Sequence, residues 1–358
     1  MSTIKDVAKY TGLSMATISK YLNGGNVLEK NRAGISEAIN LLGYHVNRNA
    51  RSLKTNRTMT VGVVMPTLSI PFFGSVLSGL DKCLSAQGYT TFACSYDFDK
   101  GIELNKLRLL SNNNVDGIVL APESLTPADL EGIRHAQGKD CPIILVDRTI
   151  PEFLCDSVVI DNLNATYGAV EQLIIAGHKR IGIIVGPLHI STAYERMIGY
   201  LRVQADYGMA TDETQIKVGN GSADTELIKV GNYDFESGHR LFNLFMDMPN
   251  PPTALCVTNY DMTLGAITAA HERGIALGDD MGFVGFDAVD MCRIISPPLA
   301  VMEQPAELMG LRAGELLLRR MSGDAEGFPH LLRLKSILHT PIADTAKHDL
   351  YAPQSAMI

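Results

Sequence analysis

From Thr60 onward the chain alternates short, unbroken apolar runs with stretches of helical period, and this leaves few folds open. Val61-Gly-Val-Val-Met65 is followed by a Ser/Pro loop and a helix over about 73–87. Strand-like runs at 90–96, 117–121 and 143–146 are separated by helices reaching Asn112 and Gln137. Continuous apolar strands are buried on both faces, the mark of a parallel sheet covered by helices. The pattern restarts after Val158-Val-Ile160: a helix to Ala176, a strand at 181–185, a helix to Tyr207, a strand at 254–258, a helix to Arg273 and a strand at 283–286. Two such halves in succession predict two lobes with a cleft between them. Ligands of open parallel sheets bind at the carboxyl ends of the strands. The loops after Met65, Val185, Thr258 and Phe286 are therefore where a site is expected.

The first sixty residues have another texture. Residues 3–23 read as two short helices around a Gly12-Leu13-Ser14 turn, the geometry of a helix-turn-helix. Thr3 and Asp6 fit a capping box, and Ser14 suits the N-cap of a helix from Met15 to about Leu22. Ile4, Val7, Ala8, Ile18 and Leu22 form an apolar face. A third helix is predicted from Lys30 to Leu42, stopped by Gly43. The following run, His45 to Arg57, is polar and basic with almost no apolar face of its own. It reads as a linker that becomes helical only when a partner supplies contacts.

Charge separates these regions. The 358 residues hold 31 Lys/Arg and 39 Asp/Glu, and the net charge of −8 argues at first against a nucleic-acid partner. Residues 1–60 contain nine basic residues (Lys5, Lys9, Lys20, Lys30, Arg32, Arg48, Arg51, Lys54, Arg57) and three acids (Asp6, Glu29, Glu37), giving +6 and leaving −14 for the rest. A basic head on an acidic body is expected when only the head approaches phosphates. The six cysteines are scattered without CxxC or zinc spacing and read as core residues in a reducing compartment. No metal or cofactor is expected. No signal peptide opens the chain and no apolar run nears membrane-spanning length, so a cytoplasmic protein with no membrane partner is expected. A near-repeat, 212–220 echoed at 224–232, reads as a tolerated duplication in a surface connection, the other reading being an edge hairpin that contacts a partner. The chain has no P-loop, HExxH, GxSxG or strand–helix GxGxxG, which argues against an enzyme. A transport receptor would not need the basic head.

The opening motif, Ala50-Arg-Ser-Leu-Lys54, Ile160-Asp-Asn162, Gly177-His-Lys-Arg-Ile-Gly182 and Val284-Gly-Phe-Asp287 occur in one order. Together they resemble the lactose-repressor/galactose-repressor (LacI/GalR) family of bacterial transcription regulators, over about residues 3–342. The resemblance implies a small all-α helix-turn-helix headpiece (1–45), a hinge helix (46–58), and an α/β two-lobed, periplasmic-binding-protein-like core of parallel sheets (59–345), followed by a tail (346–358). It places one lobe at about 59–161 and 291–322 and the other at about 162–290 and 323–345. It further implies a sequence-specific regulator, with a repressor as the main reading, that binds a pseudo-palindromic operator in double-stranded DNA as a homodimer. The polar tail, without leucine heptads, favours a dimer over a tetramer. A small-molecule effector controls operator affinity. A sugar or sugar derivative is the main reading, and a nucleobase or nucleoside the alternative.

By the same resemblance Met15 and Ala16 are the main base readers, and being apolar they must act through contacts such as thymine methyl groups. Lys20 adds a guanine or a phosphate contact, while Ser14, Thr17, Ser19 and Asn23 fix register on the backbone. In the hinge, Leu53 is a minor-groove wedge or a residue packed on its own core, with Asn47, Arg51 and Lys54 beside the DNA. Effector contacts are expected from Phe72, Phe73, Asp161, Thr192, Arg196, Tyr233, Asn259 and Asp287. One of the two phenylalanines is expected in the core, and Arg196 could instead pair with Glu195. Tyr260 stands where the family commonly has an acid, with Asp261 one residue later.

Overall fold

The computed structural model describes residues 2–22, 25–44, 57–136, 140–209 and 226–341. The chain divides into two units, Met1–Met59 and Thr60–Ile358.

Among the described residues the first unit holds three helices, α1 (Ile4–Thr11), α2 (Met15–Leu22) and α3 (Glu29–Leu42). At the start of α1 the Thr3 N–H and hydroxyl both donate to the Asp6 carboxylate, at 2.8 Å each. These bonds hold the Asp6 carboxyl below its ordinary range. Gly12 ends α1 at φ +68°, a left-handed turn that a β-carbon resists. Ser14 then caps α2, its Oγ accepting from the Thr17 N–H at 3.1 Å. Val7, Ile18, Val27, Ile35 and Ala38 are buried at the centre. Ile4, Ala8, Leu13, Tyr21, Leu22, Ile39, Leu42 and Tyr44 pack around them.

The second unit carries two six-stranded sheets. In the first, the order is β11-β5-β4-β3-β1-β2, with β1 Thr60–Met65, β2 Thr90–Ser95, β3 Gly117–Leu120, β4 Ile143–Val146, β5 Asp156–Ile160 and β11 Leu331–Leu334, all pairs parallel. In the second, the order is β12-β10-β9-β8-β6-β7, with β6 Ile181–Val185, β7 Ile228–Val230, β8 Ala254–Val257, β9 Gly282–Phe286, β10 Ala300–Glu303 and β12 Ile337–His339. Here, among the described residues, only β10 and β12 pair antiparallel. The helices of this unit are α4 (Pro71–Ser85), α5 (Lys100–Asn112), α6 (Pro127–His135), α7 (Asn162–Ile175), α8 (Ser191–Asp206), α9 (Phe235–Met246), α10 (Tyr260–Glu272), α11 (Val289–Ile294) and α12 (Ala306–Met321). In each sheet the strand order reverses beside its first strand, at β1/β3 and at β6/β8. Such switch points open a crevice outside the carboxyl ends of the strands.

The lobe boundaries differ from expectation. The chain crosses between lobes near Asp161, at Gln304-Pro305 and near Lys335-Ser336. Residues 300–303 were expected in the first lobe but form β10 beside β9 in the second sheet. Residues 331–334 were expected in the second lobe but pair with β5 in the first. β11 is a half-exposed edge strand, so it lacks the continuous apolar run that marks a buried one. α12 packs on α4 and the first sheet, backbone against backbone. A Cβ on Gly79 would lie 1.9 Å from the Glu307 carbonyl oxygen, and one on Gly310 1.9 Å from that of Val76.

The second copy of the near-repeat is also not a surface connection. Its Ile228–Val230 is the edge strand β7, paired in parallel with β6. Residues 212–220 lie outside the described residues.

Candidate functional site

The strand ends facing the opposite lobe deliver side chains to one cleft. From the first lobe come Ile70, Phe72 and Phe73 after β1, Phe98 after β2, and Asp147 and Arg148 after β4. From the second come Thr192 and Arg196 on α8, Tyr233 after β7, Asn259 and Tyr260 after β8, and Asp287 after β9, while Gln304 sits on the crossover after β10. The space between them is about 440 Å³ when the open mouth is counted.

Its walls differ in chemistry. Phe72 and Phe73 are both buried and meet edge to face, ring centroids 5.0 Å apart. Both line the cleft, so the packing role expected of one does not exclude it from the wall. Opposite them Arg196, 3% exposed, donates from Nε to Asn162 Oδ1 at 2.8 Å and from Nη1 to the Thr258 carbonyl, its guanidinium 4.7 Å above the Phe286 ring. Asp287 accepts from the Gln304 N–H at 3.3 Å and Nε2 at 2.7 Å. The Thr192 and Tyr233 hydroxyls lie 3.1 Å apart, and Asn259 caps α10 through Oδ1 while its Nδ2 donates to the Tyr233 carbonyl. Burial pushes the Asp287 carboxyl up to about 6, against the pull of Arg196 and Gln304, and raises Asp147 too.

Backbone strain gathers at the same place. Phe98, Asp147, Tyr233 and Asp287 hold φ between +61° and +65°. A non-glycine residue in that region costs on the order of 1–3 kcal/mol, and such residues cluster at ligand sites.

Seven of the eight residues expected at this site line the cleft. Asp161 does not: its carboxylate caps α7 at the crossover, accepting from the Asn164 N–H at 3.2 Å and side-chain amide at 2.6 Å. Glu195 does not pair with Arg196. It accepts from Arg333 of the first lobe at 2.9 and 3.2 Å, and from Asn162 Nδ2 at 3.3 Å. The Asn162 amide thus links Arg196 in the cleft to an ion pair between the lobes. Asp147, Arg148 and Gln304 were missed. The first two end the Ile143–Val146 run, where the strand-end argument applied to the other strands would have found them. Gln304 follows β10, whose Ala300-Val-Met-Glu303 is as long as β4 but half-buried at both ends and closed by an acid, so it does not read as a buried run.

On the headpiece, Met15 (48% exposed), Ala16 and Lys20 share the exposed face of α2. Ser14 and Thr17 are bonded to one another, Oγ to Oγ1 at 2.9 Å, and Ser19 is half-buried. Asn23, Asn47, Arg51, Leu53 and Lys54 lie outside the described residues.

A helix-turn-helix unit on the same chain as a two-lobed core with a polar, strained cleft defines a ligand-responsive DNA-binding regulator. The family model for periplasmic binding proteins and the sugar binding domain of the LacI family matches residues 58–332, and that for bacterial regulatory proteins of the lacI family matches residues 3–47. The chain belongs to the LacI family. It is 30% identical over 328 residues to the HTH-type transcriptional repressor CytR of Escherichia coli K12, covering 91% of this chain and 92% of that one. It is 31% identical over 325 residues to the repressor PurR of Actinobacillus pleuropneumoniae, covering 90% and 92%. A solved complex of the transcriptional regulator CelR with cellobiose superimposes with a TM-score of 0.68 at 28% identity, covering 95% and 99%. The protein is a DNA-binding transcriptional repressor under small-ligand control, and its relatives are repressors rather than enzymes. No helix among the described residues is long and apolar enough to cross a membrane.

Proposed function

We propose that the effector is a sugar or sugar derivative held between the lobes, and that the protein acts as a homodimer on a pseudo-palindromic operator. One observation carries the effector reading: Asp287 and Arg196 of the second lobe stand across the cleft from Phe72 and Phe73 of the first. Charged donors and acceptors fix hydroxyl groups, while aromatic faces cover the C–H face of a sugar ring. The likeness to CelR in complex with cellobiose supports the same class. A nucleoside is the second reading, favoured by Gln304 Oε1, a buried acceptor without a hydrogen-bond partner among the described residues. Set beside aromatic rings, such an acceptor matches an amino edge of a base. Calorimetric titration with D-ribose, D-glucose, cellobiose, adenosine and cytidine tests the choice: binding of a free sugar supports the first reading, and binding of nucleosides alone replaces it with the second.

Asp287 makes binding pH-dependent. Its raised carboxyl means that the folded protein holds the proton more tightly than the unfolded chain. The stability this gives is full below about pH 3.8 and is lost as pH rises through about 6. A hydroxyl donating to Asp287 needs the ionised form, so sugar affinity runs the other way. It should be level above pH 7 and fall by up to about tenfold per unit below pH 6. Calorimetry across this range checks it, and Asp287→Asn should flatten the profile.

On DNA, Met15 and Ala16 take apolar contacts to thymine methyl groups and Lys20 adds a guanine or phosphate contact. Ser14, Thr17, Ser19 and Asn23 set register. Leu53 enters the minor groove, flanked by Asn47, Arg51 and Lys54. The exposure of Met15, Ala16 and Lys20 on one face of α2 supports this reading.

A further inference from the structure

We infer that Asn162, Glu195 and Arg333 form a relay that passes effector contact at Arg196 to the angle between the lobes, with the Asn162 amide as its central link. This rests on the reading that an effector fills the cleft against Arg196, and it adds how that contact leaves the cleft.

Asn162 is the first residue of α7, just past the crossover near Asp161, and is 1% exposed. Its Oδ1 accepts from Arg196 Nε at 2.8 Å. Its Nδ2 donates to Glu195 Oε2 at 3.3 Å and to the Ile160 carbonyl at 3.4 Å. An amide engaged at both ends has one workable orientation. Turned over, its NH2 would face the Arg196 N–H and its oxygen the Glu195 carboxylate. A displacement of the Arg196 guanidinium therefore carries the amide with it, and with the amide the bond to Glu195.

Glu195 in turn meets the first lobe. Arg333 lies on β11, beside Val159 of β5 and just before the crossover near Lys335-Ser336. Its Nη2 donates to Glu195 Oε1 at 2.9 Å and its Nη1 to Oε2 at 3.2 Å. Two such bonds side by side fix a relative angle as well as a distance, so rotation of one lobe on the other distorts them. One turn earlier on α8, Ser191 Oγ accepts from the Thr149 N–H of the first lobe at 3.0 Å. α8 therefore presents Thr192 and Arg196 to the cleft, and Ser191 and Glu195 to the opposite lobe.

The strength of the ion pair suits a relay. The Arg333 and Glu195 side chains are 42% and 26% exposed. Pairs this open shift an equilibrium by up to about fivefold. That is enough to alter a linked response of roughly 5–150-fold, and too little to lock the lobes in one arrangement.

The relay is tested on the full chain at fixed salt by fluorescence anisotropy on a selected operator fragment. Titrations are run with and without a saturating amount of whichever of D-ribose, D-glucose, cellobiose, adenosine and cytidine binds by calorimetry. Arg333→Met should cut the compound-induced shift in operator affinity by about threefold to fivefold, while the compound's own affinity stays within about threefold. Arg333→Lys, which keeps the charge but not the paired bonds, should recover less than half of that loss. Asn162→Ala should cut the shift at least as far, and adding Arg333→Met to it should cut it no further, because both act through one chain. Circular dichroism checks folding, and Glu195→Gln reads the same pair from the other lobe should Arg333→Met fail to fold. A full shift in both Arg333→Met and Glu195→Gln, full recovery in Arg333→Lys, or losses that multiply in the double variant overturns the inference alone. Binding of none of the five compounds by the wild type overturns the effector reading and the inference with it.

Discussion

Removing residues 1–58 should abolish sequence-specific operator binding while leaving effector affinity within about twofold. The chain divides at Met59/Thr60, and the headpiece has its own buried centre of Val7, Ile18, Val27, Ile35 and Ala38. Every residue lining the cleft lies beyond residue 69. The charge split makes the DNA effect complete rather than partial. Phosphate contacts supply essentially all non-specific affinity, and the +6 of residues 1–60 goes with the deletion. The remaining body, at −14, repels DNA. Gel-shift titration on a fragment selected by the intact chain measures the loss, and calorimetry with the bound sugar measures the retention. Specific binding by the truncated chain would show that the headpiece is not the reader.

Arg196→Ala should cost roughly 1–3 kcal/mol of effector affinity, as expected for a charged hydrogen-bonding group removed from a buried site. The residue does more than face the ligand. Its loss strands the Thr258 carbonyl and Asn162 Oδ1, which now accept from it, and strips Asp287 of its nearby cation. The Asp287 carboxyl should then rise above 6, so the variant's sugar affinity should begin to fall at a higher pH than that of the wild type. A variant that merely loosened the fold would lower affinity without moving that profile. Glu195→Gln offers the contrast: its pair with Arg333 is partly exposed, and such pairs are worth about 0–1 kcal/mol. Calorimetry over a pH series checks both variants.

The sequence made the parallel strands of both sheets legible where they were buried on both faces, as in Val61-Gly-Val-Val-Met65 and Ile181–Val185. It failed at the edges. β7, β11 and β12 are three or four residues long and half-exposed, so neither periodicity nor continuous apolarity marks them. The lobe boundaries went wrong for that reason, since the crossovers are placed by these strands. At the site, Asn259 and Asp287 sit just past recognised strands and line the cleft as the strand-end rule expects, whereas Arg196, inside α8, was placed there by the family resemblance. Asp161 misled because a carboxylate beside a strand end serves equally well as a helix cap, and here it caps α7. Asp147 and Arg148 follow a recognised strand and were within reach of the same rule, whereas Gln304 lies on a crossover whose place in the cleft only the folded arrangement reveals.

The central claim is that one ligand in this cleft governs operator binding by the headpiece. Linked binding of this kind typically amounts to a 5–150-fold change in affinity. It is tested most directly by fluorescence anisotropy of the intact chain on its selected DNA fragment, at fixed salt, with and without a saturating concentration of the sugar found by calorimetry. The account predicts that the operator dissociation constant moves at least about tenfold in the wild type, and that at the same sugar concentration it moves far less in Arg196→Ala. An operator affinity that stays the same with the cleft occupied and with it empty would contradict the account.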